Sequence, residues 1–187
     1  MNVENKQSSM TIGESATPRK SPQTVTAKGE RMEAQIDGVR IRAAITHQDE
    51  RGSLSEIYSD EWRYDEYAMV HSYMVTVRPG RTKGWALHRE QVDRYFFALG
   101  SCKLVLYDDR AESPTRALVM VRYFSDINRS LVTVPPGVYH AVENVGQTDV
   151  VLISIPDKTY CYADPDKYTL PLDNDLIPYR FDNTRGY

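Results

Sequence analysis

From Ile36 onward, apolar and polar positions alternate in short runs rich in β-branched and aromatic residues. The runs are VRIRAAI, SLSEIY, AMVHSYMVTV, RYFFAL, KLVLYDD, ALVMVRYF, SLVTV, HAVENV and DVVLISI. Between them lie RPGR, LGS, RAESPT, SDINR, PPG, VGQT and IPDK, whose Gly, Pro, Asp and Asn residues are turn formers. Nine strands at roughly ten-residue spacing, with no long helical period among them, predict an all-β fold, an antiparallel jelly-roll barrel that is closed or nearly so. DEWRYDEY is too polar for a buried strand and is expected to be a loop or a short helix. Beyond Asp157 the chain turns rich in tyrosine and proline, and is expected to wrap the barrel without adding a full strand.

Residues 1–30 are polar, rich in Ser, Thr, Lys and Pro, and carry no sustained apolar period. They predict a flexible tail, or an arm that crosses onto a second copy, leaving 31–187 as the folded domain. At 187 residues the chain is long enough to bury a core without disulfide or metal support. With 41% hydrophobic and 26% charged residues it has the composition of a globular protein. A formal net charge of −3 gives no long-range reason to expect nucleic acid as partner. No run approaches the ~18 apolar residues of a membrane span, and the N-terminal stretch has no apolar signal-peptide core, so no membrane partner is expected and the cytoplasm is the default location. Cys102 and Cys161, in apolar or aromatic surroundings, are expected to be buried free thiols. Thirteen tyrosines against four phenylalanines is a skewed ratio. A buried phenol needs a hydrogen-bond partner, so many of these rings should line a wet pocket or an interface.

The sharpest local pattern is VPPGVYHAVEN, Val134 to Asn144. Pro136 and Gly137 suit a type II turn, after which Val138, His140 and Val142 share one face of a strand. The pattern P-x-G-x-x-H-x-x-x-N resembles the second cupin motif, with Arg129 where a glycine usually stands upstream. An imperfect first cupin motif begins at His88, with Glu90 in place of its second histidine and Asp93 in place of its carboxylate. Together, His88, Glu90, Asp93 and His140 are the residue types that hold iron, manganese or zinc, so a divalent metal is one option. A metal-free relative explains the same residues with no cofactor.

That relative is carried by DERGSLSEIY, residues 49–58, which resembles the D-x-R-G-x-F-x-E-x-F signature of the dTDP-4-dehydrorhamnose 3,5-epimerase family, enzymes of the cupin fold. The resemblance continues in order through WALH, LGSCKLVLYDDR, SPT, VPPGVYHAV and YCYADPDKYTLPLDNDLI, spanning about Ile45 to Pro178. It implies a nucleotide-linked 4-keto-6-deoxy sugar as the small-molecule substrate. It also implies proton abstraction next to the keto group, which needs a base poised near neutral pH and a donor for the developing oxyanion. By this resemblance His88 falls on the base and His140 on a second pocket histidine, while Arg51 and Glu56 fall on residues that hold the nucleotide.

Four family positions differ. Asp93 stands where the family has a lysine, Ile153 and Ser154 where it has the proton-donating tyrosine, and Trp85 where an arginine precedes the histidine. The stretch that carries the family's orienting aspartate falls beyond Tyr187. Substitutes within the chain are Tyr139 or Tyr160 for the phenol, Arg94 or Arg81 for positive charge, and Asp93 as the group that orients His88. Glu90 is placed with the substrate contacts. His47 and His71 are expected to be structural, and Tyr95, Phe96 and Phe97 to pack in the core. Three functions follow: a sugar-nucleotide epimerase or isomerase, a cupin that only binds a small ligand, and a metal-dependent cupin enzyme. A homodimer exchanging residues near 30–46 is expected, because barrel edges are commonly paired across a two-fold axis.

Overall fold

The computed structural model describes residues 20–29 and 32–182. The chain divides into two compact units, Met1–Glu33 and Ala34–Tyr187. In the first, the Met32 amide donates to the Thr24 carbonyl at 2.8 Å. The tail expected over residues 1–30 falls mostly outside the described residues.

The second unit is a β-sandwich closed as a jelly roll. Its strands are β1 (Arg40–Ala43), β2 (Thr46–Asp49), β3 (Gly52–Ser55), β4 (Tyr73–Val77), β5 (Thr82–Leu87) and β6 (Asp93–Leu99). They continue as β7 (Cys102–Asp108), β8 (Val119–Phe124), β9 (Ser130–Val134), β10 (Val138–Asn144), β11 (Val150–Ser154) and β12 (Tyr168–Thr169). One sheet has the order β1-β9-β6-β11-β4 and the other β12-β5-β10-β7-β8, all pairings antiparallel, while β2 and β3 pair only with each other. The polar DEWRYDEY segment holds a single 3-10 turn, Asp60–Trp62. Among the described residues there is no α-helix, and none is long and apolar enough to cross a membrane.

Period-two alternation sorts the side chains into three layers. Between the sheets lie Phe97, Leu104, Leu106, Val132, Val138, Val142 and Leu152, all buried. Each such side chain contributes about 1.5–3 kcal/mol by leaving water. Outside the first sheet, Phe96, Leu131 and Ile155 pack beneath Tyr58 and Tyr64. Outside the second, Trp85, Val105 and Tyr107 are covered by Leu172, Ile177 and Phe181, so the proline-rich C-terminal segment wraps the barrel as expected. Beneath this wrap the Lys103 ammonium meets Glu143 at 2.5 Å and lies 5.5 Å from the Tyr179 ring.

Three strands fall outside the nine runs read from the sequence: the short β2 and β12, and β5, the longest of them. Lys83 and Gly84 interrupt its alternation, yet the glycine is there for a packing reason. A Cβ on Gly84 would come 2.5 Å from the Ala141 Cβ and 2.7 Å from the His140 carbonyl oxygen. Its absence lets β5 close on β10 beside His140. Gly137 adopts φ +79° in the turn before β10, and its amide donates to the His88 carbonyl at 2.8 Å. The Pro-Pro-Gly turn is thereby tied to the end of β5, which brings the two histidines side by side.

Candidate active site

Three strands deliver the central cluster. His88 follows β5, His140 is the third residue of β10, and Asp93 and Tyr95 point inward from β6. The imidazoles of His88 and His140 stack with centroids 5.6 Å apart and planes 19° apart. The Asp93 Oδ2 lies 3.2 Å from the His88 Nε2 and 3.4 Å from the His140 Nε2. It also accepts from the Tyr95 hydroxyl at 2.6 Å, and Oδ1 accepts from the Gln91 amide at 2.7 Å. The Tyr95 oxygen is 3.1 Å from the His140 Nε2. On their other nitrogens, His140 Nδ1 meets the Val138 carbonyl at 3.2 Å and His88 Nδ1 meets the Asp166 carbonyl.

The environment separates the protonation states of these groups. Burial pushes the Asp93 carboxyl up, but the bond from His88, the charges of His140 and His88 and the Tyr95 hydroxyl outweigh it and hold the pKa at about 2. Burial dominates at His140 and lowers its pKa to about 4. At His88 burial also acts downward, but the hydrogen bond and charge of Asp93 overcome it and the pKa is raised. Burial lifts the Tyr95 phenol well above its ordinary value. Near neutral pH the cluster is therefore an ionised carboxylate, a protonated phenol and a neutral His140. His88 is the member poised to gain or release a proton.

His88, Gln91, Tyr95 and His140 of this cluster line a cavity of about 450 Å³ between the two sheets. His71, Tyr73, Tyr160, Tyr162, Lys83 and Lys167 are among the other residues lining it. Tyr73 arrives by register: across β6, β11 and β4, Tyr95 pairs with Ser154 and Ser154 with Tyr73, so all three face the interior. The small, fully buried Ser154 leaves room between two phenols. Tyr73 keeps 43% of its surface exposed, and burial of the remainder raises its pKa.

Not every candidate from the sequence reaches the cavity. His88, Asp93 and His140 meet. Tyr139 does not: it alternates with His140 and packs on the outer face with the Trp85 group. Arg94 alternates with Asp93 and lies fully buried on the outside of the first sheet, where Nη2 donates to the carbonyls of Tyr67 and Ala68 at 3.0 and 2.8 Å. Glu90 is exposed and pairs with Lys158 at 2.9 Å, away from the other candidate metal ligands. Arg51 sits at the tip of the β2–β3 hairpin, 82% exposed and paired with Asp49 at 2.5 Å, and Glu56 is exposed just beyond the hairpin. Neither lines the cavity in a single chain.

Other expectations for single residues are revised as well. Tyr95 packs in the core as expected, and its hydroxyl also joins the site. His71, expected to be structural, lines the cavity, and Cys161 is exposed where a buried thiol was expected. Residues the sequence reading missed are Gln91, Lys167, Tyr73 and Asp166. Alternation with Phe96 was the available signal for Tyr95. None marked Asp166, which joins the site across 78 positions of sequence.

A two-sheet jelly roll enclosing a cavity with paired histidines is a cupin. The chain belongs to the family described as the polysaccharide biosynthesis C-terminal domain, which matches residues 47–168. It is 31% identical over 146 residues to the spore coat polysaccharide biosynthesis protein SpsL of Bacillus subtilis, covering 78% of this chain and 96% of that one. It is also 31% identical over 139 residues to the probable low-salt glycan biosynthesis epimerase Agl13 of Haloferax volcanii, covering 74% and 89%. Among solved structures, the dTDP-4-dehydrorhamnose 3,5-epimerase of Bacillus anthracis superposes with a TM-score of 0.71 at 17% identity, covering 82% of this chain and 90% of that one. The fold implied by the resemblance in the sequence is borne out.

Proposed function

We propose that the chain is an epimerase that inverts a carbon next to the keto group of a dTDP-linked 4-keto-6-deoxy sugar. The observation that carries this reading is the arrangement of groups across the cavity. His88, backed by Asp93, follows a strand of one sheet, and the phenol of Tyr73 comes from the facing sheet. Inversion requires a proton to leave one face of the carbon and return to the other. His88 takes the α-proton, the enolate forms, and Tyr73 returns a proton from the opposite side. Lys83 and Lys167 supply positive charge in the cavity wall for the diphosphate and the enolate oxygen, a role that Asp93 cannot fill. The name of the Haloferax relative, an epimerase of glycan biosynthesis, supports the same class. Incubating the protein with dTDP-4-keto-6-deoxyglucose in D2O tests the reading: deuterium enters at the carbon that is inverted. A thermal shift with dTDP but no exchange would leave a binding protein and end the enzymatic reading.

A second reading is favoured by the spacing of the same groups. His88, Asp93 and His140 each offer one ligand atom, and these lie within 4.8 Å of one another. Both imidazoles turn Nδ1 to a backbone carbonyl and Nε2 inward, as metal-bound histidines do. Such a site suits iron, manganese or zinc. Metal analysis of the purified protein separates the readings: stoichiometric metal, lost with activity on chelation, selects the second.

A cytoplasmic homodimer is part of the proposal. The hairpin β2–β3 pairs with no other strand among the described residues, and Ile45 just before it and Leu54 within it are 63% and 61% exposed, which suits an interface with a second copy. Light scattering after size exclusion is expected to give twice the chain mass at micromolar concentration. A monomer would sink this part.

A further inference from the structure

We propose that a bulge in β5 turns Lys83 into the cavity, where it binds the diphosphate of the substrate. The identity of the anion rests on the reading above; the aim of the side chain rests on strand register. Near the end of β5, Ala86 lies opposite His140, and both line the cavity. An unbroken ladder from that pair would put Gly84 opposite Val142 and Lys83 opposite Glu143. The observed pairs are Lys83 with Val142 and Thr82 with Glu143, so β5 carries one residue more than β10 over this stretch. That is a β-bulge, placed where Gly84 comes against Ala141. It reverses the side that the preceding residues face. Lys83 joins Val142, which packs between the sheets, and lines the cavity.

The bulge gives something up. In the unbroken ladder Lys83 would stand opposite the Glu143 carboxylate on the outer face, in place to pair with it. Lys103, across the other side of β10, holds that carboxylate instead. Thr82 takes the place beside it, and its hydroxyl is buried with no hydrogen-bond partner among the described residues. A buried unpaired hydroxyl costs stability. What the exchange delivers is an ammonium inside the cavity.

The cavity wall suits an anion. It includes two lysines and three histidines but no carboxylate. Unlike Lys103 and Lys158, neither Lys83 nor Lys167 has an ion-pair partner among the described residues. The two cavity lysines serve different ends. Lys167 follows Asp166, whose carbonyl meets His88, and its charge acts on His140, so it belongs with the reacting groups. Lys83 is paired two residues beyond His140 along β10, a pleat repeat of about 7 Å. In a nucleotide-linked 4-keto sugar the diphosphate hangs from C1, across the ring from the keto carbon. The order along the cavity matches that ring, with Lys167 at the keto oxygen and Lys83 at the diphosphate.

Lys83 is exposed, so its replacement leaves the fold intact, and the test reads binding. By calorimetry the wild-type protein binds dTDP and inorganic pyrophosphate. Lys83→Ala weakens both by about ten- to a hundredfold, the worth of a hydrogen bond to a charged group, and Lys83→Arg keeps most of the affinity. Thymidine, which lacks the diphosphate, binds wild type and Lys83→Ala alike. A second readout needs no variant: in acylation of exposed amines followed by mass spectrometry, pyrophosphate protects Lys83. Equal diphosphate affinity in wild type and Lys83→Ala overturns the proposal, as does a wild-type protein that binds neither diphosphate. Thymidine affinity lost in step with dTDP, or a Lys83 acylated as fast with pyrophosphate as without, overturns it too. A Lys83-dependent diphosphate site in a protein that exchanges no deuterium leaves this proposal standing and sinks the proposed reaction instead.

Discussion

His88→Asn abolishes the entry of solvent deuterium next to the keto group, with a loss of about a hundred- to ten-thousandfold, the usual contribution of a positioned general base. Asparagine is close in size and leaves Asp93 its bonds from Tyr95 and Gln91, so the buried carboxylate keeps partners and the barrel stays folded. The wild-type pH profile carries the same information. The base acts unprotonated and its pKa is raised, so the rate falls as pH drops through a value above the ordinary 6.5 or so of histidine. A stability effect runs at lower pH. Asp93 titrates at about 2, below its unfolded value, so its contribution is complete above about 3.9 and is lost as pH falls toward 2. His88→Asn removes one cause of that depression and makes acid unfolding begin at higher pH, read by a thermal melt series. Unchanged exchange in a folded His88→Asn protein removes His88 from the base role.

Tyr73→Phe separates exchange from inversion. The enolate still forms at His88, and the same group can return deuterium to the face it came from, so label enters the starting sugar. Delivery to the opposite face falls by about a hundredfold or more, since the ring remains and only its proton is gone. The two outcomes are distinguished in one NMR time course by following label in the original and the inverted sugar. Equal loss of both would mean that Tyr73 shapes the cavity and does not supply the proton. Inversion at the wild-type rate would pass that role to Tyr160 or Tyr162, which also line the cavity.

Much of this arrangement was readable before any coordinates. Every strand rich in β-branched residues was found, because alternation reports a buried face directly. His140 was placed because Pro136 and Gly137 announce its turn. The same period of two already set Tyr139 and Arg94 on the outside, opposite His140 and Asp93, so both assignments gave way to a rule the sequence contained. Tyr95 was hidden by an apolar neighbourhood that looks the same whether a phenol packs or donates. β5 was hidden because its glycine serves a contact with β10, and a contact between distant strands has no local pattern. Asp166 was invisible for the same reason, since its partners are three amides of an unrelated turn. Arg51 and Glu56 fit the family signature residue by residue, yet the fold of one chain carries them away from the cavity.

The covering of the second sheet by Leu172, Ile177 and Phe181 has a consequence for biogenesis. These residues follow every strand of that sheet in the chain, so during synthesis the sheet bearing both histidines can complete its ladders while its back, including Trp85 and Val105, is still wet. Until the wrap emerges from the ribosome, that face is a sticky surface open to chaperones or to other nascent copies. Maturation of the catalytic wall ends with a seal laid on from behind.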